Sequence, residues 1–142
     1  MERRRSIIFL IGIISFFMQA CMNIRLEEKD MVGTWRGPDS SEIHLEMNGS
    51  FSARYIPVKF GFIPSDSLNS DKFDGGGKWL LRKGETNWEV YLDFDHVTIN
   101  KSGCAFPVLV AGENGLFDNK PPWYLFMWED EEGGDRYKFK RK

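Results

Sequence analysis

The chain has 142 residues, 19 Lys+Arg against 21 Asp+Glu, and two cysteines. This length accommodates one domain, and the near-neutral charge excludes a protein that binds nucleic acid by bulk positive charge. Hydrophobic residues make up 42% of the chain, which excludes a disordered protein. Two cysteines are too few for a disulfide-stabilised miniprotein, so the core must come from apolar packing.

The first twenty residues have the pattern of a secretory signal peptide. Three arginines in Met1–Ser6 precede the uncharged run Ile7–Phe17, and a basic cap before a short apolar segment is typical of such signals. As a helix this run would rise about 16 Å, whereas a membrane span needs about 30 Å. We therefore predict a signal peptide over residues 1–20. An apolar first strand or helix of the domain is the alternative.

The next residues, Met18-Gln19-Ala20-Cys21, resemble the bacterial lipobox, in which a bulky apolar residue and then a small one precede the cysteine. The resemblance implies that Cys21 is lipidated, with residues 21–31 as a tether containing one helical turn. Buried acyl chains contribute about 0.8 kcal/mol per CH₂ and would hold the protein on a membrane. Met22 after the cysteine implies, by resemblance to sorted lipoproteins, the outer membrane of the bacterial envelope, facing the periplasm. Ordinary cleavage near Ala20 and an uncleaved leader are the alternatives.

Beyond residue 30, apolar residues alternate with a period of two, which predicts β-strands. The clearest strand is Trp88–Phe94, and a hairpin is predicted where Asn48-Gly49 separates two alternating runs, residues 43–47 and 51–55. Further strands are predicted at Gly33–Gly37, Lys78–Arg82, Ala105–Ala111, Trp123–Trp128 and Tyr137–Phe139.

About eight short strands with short links favour an all-β fold, an antiparallel up-and-down meander. Closing that sheet into a small barrel removes its unpaired edges, so we predict a β-barrel domain over residues 32–142. A small sandwich is the alternative.

Three motifs of this domain, Gly33-Thr34-Trp35, Gly49-Ser50-Phe51 and Gly77-Lys78-Trp79, resemble lipocalin-like (calycin) proteins. They are more similar still to small, largely uncharacterised bacterial lipoproteins. The resemblance implies a lipocalin-like barrel whose first-strand tryptophan packs at the floor, under a basic residue of the last strand.

That basic residue is predicted to be Arg136 or Arg141, in a cation–π contact with the tryptophan. The predicted floor motif is therefore Gly33, Trp35 and Arg136, with Arg141 as the other candidate. If Cys21 carries lipid, Cys104 has no intramolecular partner, and we expect a buried, unreactive thiol.

Candidate catalytic and metal-binding groups are sparse. His44 lies between two glutamates, but strand residues two apart stand about 7 Å from each other, so a solvated face is predicted. His96 follows Asp93 and Asp95 and is expected on the opposite face. The acidic cluster after Trp128 is interpreted as a charged hairpin tip. No catalytic residue, metal site or cofactor is predicted, and the protein is not expected to be an enzyme.

One candidate binding segment is the link Gly61–Gly76, which is long, lacks periodicity and carries Phe62 and Phe73. Its glycine run, residues 75–77, is interpreted as a flexible entry to the following strand. Long links in compact domains are often lids or binding loops. We therefore predict that a small apolar or amphipathic ligand binds at the barrel mouth beside this link, without catalysis. A loop that merely plugs one barrel end is the alternative.

The second candidate is the aromatic strand Trp123–Trp128, which is apolar on both faces. One face fills the core, and the other, carrying Tyr124, Phe126 and Trp128, needs a cover. This pattern favours a second hypothesis, an interaction or inhibitor module that docks an envelope protein. Cover by the chain's own loops is the alternative.

Overall fold

The computed structural model describes residues 25–61, 70–98, 103–114, 118–130 and 134–142. These residues form eight strands in a closed antiparallel barrel, in which each strand pairs with the next and the last pairs with the first. The predicted all-β meander and its closure are confirmed. The strands are β1 (Gly33–Arg36), β2 (Glu42–Leu45), β3 (Ser50–Pro57), β4 (Lys72–Lys83), β5 (Trp88–Val97), β6 (Cys104–Asn114), β7 (Lys120–Trp128) and β8 (Arg136–Arg141).

A short helix, α1 (Glu28–Met31), precedes β1. Leu26 and Met31, before and at the end of this helix, are 2% and 0% exposed and belong to the main core. Part of the predicted tether, residues 21–31, is thus packed into the barrel, and the predicted helical turn is present. We call the barrel end that holds α1 the floor end and the opposite end the far end.

Helices among the described residues are too short and too polar to span a membrane.

The β2–β3 hairpin turns at Asn48-Gly49, as predicted. Gly49 has a φ of +79°, a conformation that glycine adopts without a steric penalty. The Asn48 side chain accepts a hydrogen bond from the Ser50 amide at 2.8 Å, which stabilises the turn locally. This turn lies at the floor end, because Leu45 at the end of β2 pairs with Gly33.

The glycine run lies inside a strand, because β4 begins at Lys72. A Cβ atom at Gly75 would stand 2.7 Å from the Phe94 ring, and one at Gly77 would stand 2.0 Å from the Asp93 carbonyl oxygen. The predicted flexible entry is therefore wrong: glycines are required here because β5 and an interior ring approach the β4 backbone closely. The pairing register shifts at the same place, between Gly76 and Gly77.

Inward-facing residues of all eight strands meet in one continuous hydrophobic core. Its largest fully buried side chains include Trp35, Phe73, Phe94, Phe139 and Met31. Barrels of eight strands are just wide enough for side chains to fill their interior, and the described residues fill this one with aromatic rings. The observed eight-strand architecture is consistent with a lipocalin-like fold.

Candidate functional site

The barrel floor is built around Trp35, which is 0% exposed. Its indole Nε1 donates a hydrogen bond to the Met31 carbonyl oxygen at 2.7 Å, so α1 and β1 are joined at this ring. The Arg141 guanidinium lies 5.3 Å from the centre of the Trp35 ring system and donates a hydrogen bond to the Val32 carbonyl oxygen. Gly33, with a φ of +134°, leaves room for that guanidinium.

The arginine on the floor tryptophan is therefore Arg141, and Arg136 is not part of the floor. Along β8, Tyr137 and Phe139 are buried in the core. Successive strand residues point to opposite faces, so Arg141 shares the inward face and Arg136 points outward. This parity is visible in the sequence and is the signal that separates the two candidates.

The barrel interior around Phe94 is packed with phenylalanine rings. Phe94 contacts Phe51 edge-on at 4.7 Å, Phe73 at 5.6 Å and Phe106 at 5.4 Å between ring centres. Phe73, predicted as a ligand contact, is 1% exposed and belongs to this cluster. Phe62, the other predicted contact in the Gly61–Gly76 link, lies outside the described residues.

A short 3₁₀ turn over Val58–Phe60 lies against the core at the far end. The Phe60 ring packs 5.2 Å from that of Tyr137, and the Lys59 ammonium lies 3.2 Å from a Glu129 carboxylate oxygen. The Tyr137 hydroxyl oxygen lies 2.9 Å from the Pro38 carbonyl oxygen and 2.9 Å from the Ser41 hydroxyl oxygen, within hydrogen-bond distance of both. Burial is the main cause that raises the pKa of Tyr137.

The outward side chains of β7 form a second, smaller hydrophobic cluster outside the barrel. Tyr124 and Phe126 are 5% and 1% exposed, although they point away from the interior, and Trp128 beside them is 44% exposed. Phe126 lies 5.8 Å from Tyr124 and 5.2 Å from Trp128 between ring centres. We call these three rings, with the outward side chains of β8 beside them, the aromatic face.

Cations of β8 cover the rings of the aromatic face. The Arg136 guanidinium lies 4.6 Å from the Phe126 ring centre and 5.1 Å from that of Trp128, and it donates a hydrogen bond to the Tyr124 hydroxyl at 2.5 Å. The Lys138 ammonium lies 5.2 Å from the Tyr124 ring centre. Long basic side chains cover apolar surface with their stems while the charges stay in water, which explains why Phe126 is buried on an outer face.

A polar cavity of about 240 Å³ adjoins the aromatic face and is lined by Gly112, Glu113, Asp118, Tyr124, Arg136, Lys138 and Lys140. Two of its cations are paired: Lys140 lies 2.7 Å from a Glu113 oxygen, and Arg136 lies 3.5 Å from an Asp118 oxygen. The cavity therefore carries mixed charge.

Trp128, the exposed ring of the aromatic face, is also part of an apolar band that crosses the outside of the barrel. Leu80 pairs with Tyr91, and Tyr91 pairs with Pro107. Leu109 pairs with Phe126, so the same register places Pro107 level with Trp128. Leu80 is 47% exposed. We call Leu80, Tyr91, Pro107 and Trp128 the apolar band.

The two histidines lie on the outer surface. His44 Nδ1 is 2.8 Å from the Thr34 hydroxyl, and its neighbour Glu42 pairs with Arg36 at 3.0 Å. The register shift in β5 leaves both Asp95 and His96 exposed, which corrects the expected opposite faces. No cluster of three or more metal-ligating side chains occurs among the described residues.

Cys104 is half-buried at the start of β6. Burial, with a smaller contribution from the Asp93 carboxylate, raises the pKa of its thiol. Because the thiolate is the reactive form, this setting lowers the reactivity of Cys104 at neutral pH. Cys21, the predicted lipidation site, lies outside the described residues.

Comparison with known proteins gives no match: no family model fits the chain, and no curated protein or solved structure is significantly similar to it.

Proposed function

We propose that the chain is a lipid-anchored protein of the bacterial cell envelope that acts without catalysis, by docking an envelope protein on its outer surface. The observation that supports docking is the apolar band, which is joined at Trp128 to the cation-covered aromatic face. The interior, by contrast, is packed with side chains in the described residues. A filled interior with an exposed apolar strip favours an interaction surface over a ligand cup.

The chemistry of the surface defines the partner. The apolar band is flanked by two arginines, Arg82, which stacks 4.1 Å from the Tyr91 ring centre, and Arg136. Aromatic and arginine side chains are enriched at the energetic centres of protein interfaces. The proposed partner is a protein that presents apolar side chains with carboxylates beside them, which would meet Lys138 and would compete with Glu89 for Arg82 and with Asp118 for Arg136.

A photo-cross-linking amino acid at Trp128, in the full lipoprotein inside producing cells, tests this proposal. We expect a discrete cross-linked protein from position 128 and none from position 55, where the exposed Tyr55 serves as a matched control. The Arg136→Glu/Lys138→Glu variant should lose the cross-link while its circular dichroism spectrum is retained. Equal cross-linking at both positions, or a cross-link that survives the charge reversal, would contradict the proposal.

The anchor has a separate test. A Cys21→Ser protein is expected to leave the membrane fraction, because only the acyl chains of the lipidated cysteine would hold this barrel on the bilayer. A variant that stays in the membrane fraction after a high-salt wash would show that the lipobox interpretation is wrong.

A small apolar ligand at the mouth, beside residues 61–76, is the second proposal. It is supported by the barrel architecture, since small barrels hold a single ligand in other proteins, and it is weakened by the tight packing around Phe73. Native mass spectrometry of the lipoprotein released from detergent distinguishes the two. A bound molecule of defined mass that disappears on denaturation would favour the ligand, and the mass of the bare lipoprotein would favour docking.

A further inference from the structure

We propose that the floor end of the barrel rests on the bilayer that holds the lipid anchor, with the far end turned away from it. This inference rests on the proposed lipidation of Cys21. Five Cα–Cα steps separate Cys21 from Leu26, which limits their separation to about 18 Å. Leu26 is 2% exposed and packed into the core, so the barrel is fastened to the membrane at its floor by a very short tether.

The barrel is taller than this tether is long. The strand β5, Trp88–Val97, has 10 residues and spans about 33 Å along its own axis. A strand tilt of about 40° reduces this to a barrel height of about 25 Å. The barrel therefore cannot turn over and place its far end on the membrane while Leu26 stays in the core.

The surface of the floor end suits a lipid interface. Met47, at the tip of the β2–β3 hairpin, is 64% exposed. Trp88, at the start of β5, lines an open depression of about 510 Å³ together with Arg25 and Lys29. Tryptophan and basic side chains are the groups that favour the headgroup region of a membrane.

The depression also carries Glu27 and Glu28, so the floor end is of mixed charge rather than basic. The far end displays exposed acidic side chains at Asp71, Asp95 and Asp135, besides Glu129, which pairs with Lys59. Anionic lipids repel such a surface. The charge distribution therefore disfavours contact of the far end with an anionic bilayer more than it attracts the floor end.

This orientation has a consequence for docking. Trp128 ends β7, a strand that runs from the floor end to the far end, so the exposed part of the aromatic face lies at the end that is remote from the lipid. The aromatic face then meets a periplasmic protein and not the membrane.

Depth-dependent fluorescence quenching tests the orientation. The full lipoprotein, with Cys104→Ala, carries a fluorophore on Met47→Cys or, as the matched far-end control, on Asp95→Cys. It is reconstituted in vesicles of phosphatidylethanolamine and phosphatidylglycerol (3:1) that contain brominated lipid. We expect several-fold stronger quenching at position 47 than at position 95. Equal quenching, or stronger quenching at position 95, in protein that floats with the vesicles would overturn the orientation and leave the anchor standing.

Protein that does not float with the vesicles would instead refute the anchor, and the orientation with it. A tether lengthened by fifteen Gly/Ser residues after Met22 provides a second measurement. Flotation should be unchanged, while the excess quenching at position 47 should fall toward that at position 95. An unchanged excess would overturn the argument from tether length and would leave the surface of the floor end as the cause of the orientation.

Discussion

Two arginines of the same strand stack on aromatic rings, one at each face of the barrel wall. Arg141 lies over Trp35 at the floor, where the ring is completely buried and its indole nitrogen is hydrogen-bonded to Met31. Arg136 lies over Phe126 and Trp128 on the outside, where Trp128 keeps 44% of its surface exposed. The contact type is the same, but its surroundings differ.

The difference shows how the same type of contact, an arginine on an aromatic ring, can have two different roles. At the floor, the guanidinium covers a tryptophan ring that belongs to the main core. Removing that ring would therefore leave a cavity. On the outside, the guanidinium shields rings from water and leaves one of them available. The floor contact is thus expected to matter for stability, and the outer contact for docking. The first three of the following four predictions test that division, and the fourth concerns a buried tyrosine at the far end of the core.

Removing the floor ring should have the largest effect. We expect Trp35→Ala to lower the free energy of unfolding by about 3–5 kcal/mol, because the whole side chain is buried and its site cannot collapse. Trp128→Ala is the matched control and should cost less than about 1 kcal/mol. Urea titration followed by circular dichroism measures both. Similar losses for the two variants would refute the proposed division.

Gly33→Ala should have the next largest effect. A residue with a Cβ atom is strained at a φ of +134°. The added Cβ atom of the alanine would also stand 3.3 Å from the Arg141 Nε. We expect a loss of about 1–3 kcal/mol in the free energy of unfolding.

Gly134→Ala is the reference for a positive φ without crowding, because Gly134 has a φ of +70° and no heavy atom within 4 Å of the added Cβ. Its cost should be about 1 kcal/mol, from the backbone alone. A loss at Gly33 no larger than that at Gly134 would mean that neither the less accessible φ of Gly33 nor crowding against Arg141 adds to the cost.

Neutralising the two arginines compares them directly. We expect Arg141→Gln to cost about 1–2 kcal/mol of stability, since it removes a cation–π contact and a charged hydrogen bond to Val32. Arg136→Gln should cost about 0.5–1 kcal/mol but should weaken the cross-link from position 128. Thermal or urea unfolding gives the stabilities. A larger loss for Arg136→Gln would reverse the assignment of the two roles.

The smallest effect is a pH dependence from Tyr137. Burial raises the pKa of this phenol, so the folded protein holds the proton more tightly than the unfolded chain does. The stabilisation is complete below the ordinary tyrosine pKa of about 10 and is lost as the pH rises through the folded-state value. Unfolding free energy measured from pH 8 to 11 should therefore fall at the alkaline end.

Tyr137→Phe should flatten that alkaline decline, although it also removes the hydrogen bonds to Ser41 and Pro38. Tyr55→Phe, at an exposed ring, is the control for general alkaline effects. If the decline in Tyr137→Phe is as steep as in the unaltered protein, another group causes it.

Local rules were sufficient for much of the fold. The alternating run Trp88–Phe94 predicted β5, and Asn48-Gly49 predicted a turn that the structure contains. The prediction of a flexible entry segment at the glycine run before Trp79 is wrong, because those glycines are required by the close approach of β5 and the Phe94 ring. That approach involves residues nearly twenty positions away, which no local window contains.

The sequence by itself determined the strands, their order as a meander and the aromatic pattern of β7, because alternation and turn residues act over a few neighbouring positions. Strand parity already distinguishes Arg141 from Arg136, but only the tertiary structure decided that the Arg141 guanidinium reaches the Trp35 ring, that Leu26 and Met31 complete the core and that phenylalanine fills the interior. Each of these depends on closure of the barrel, which brings β8 to β1 and thereby joins the two ends of the domain. Closure depends on the twist and pairing of all eight strands together, so the sequence of any single strand does not determine it.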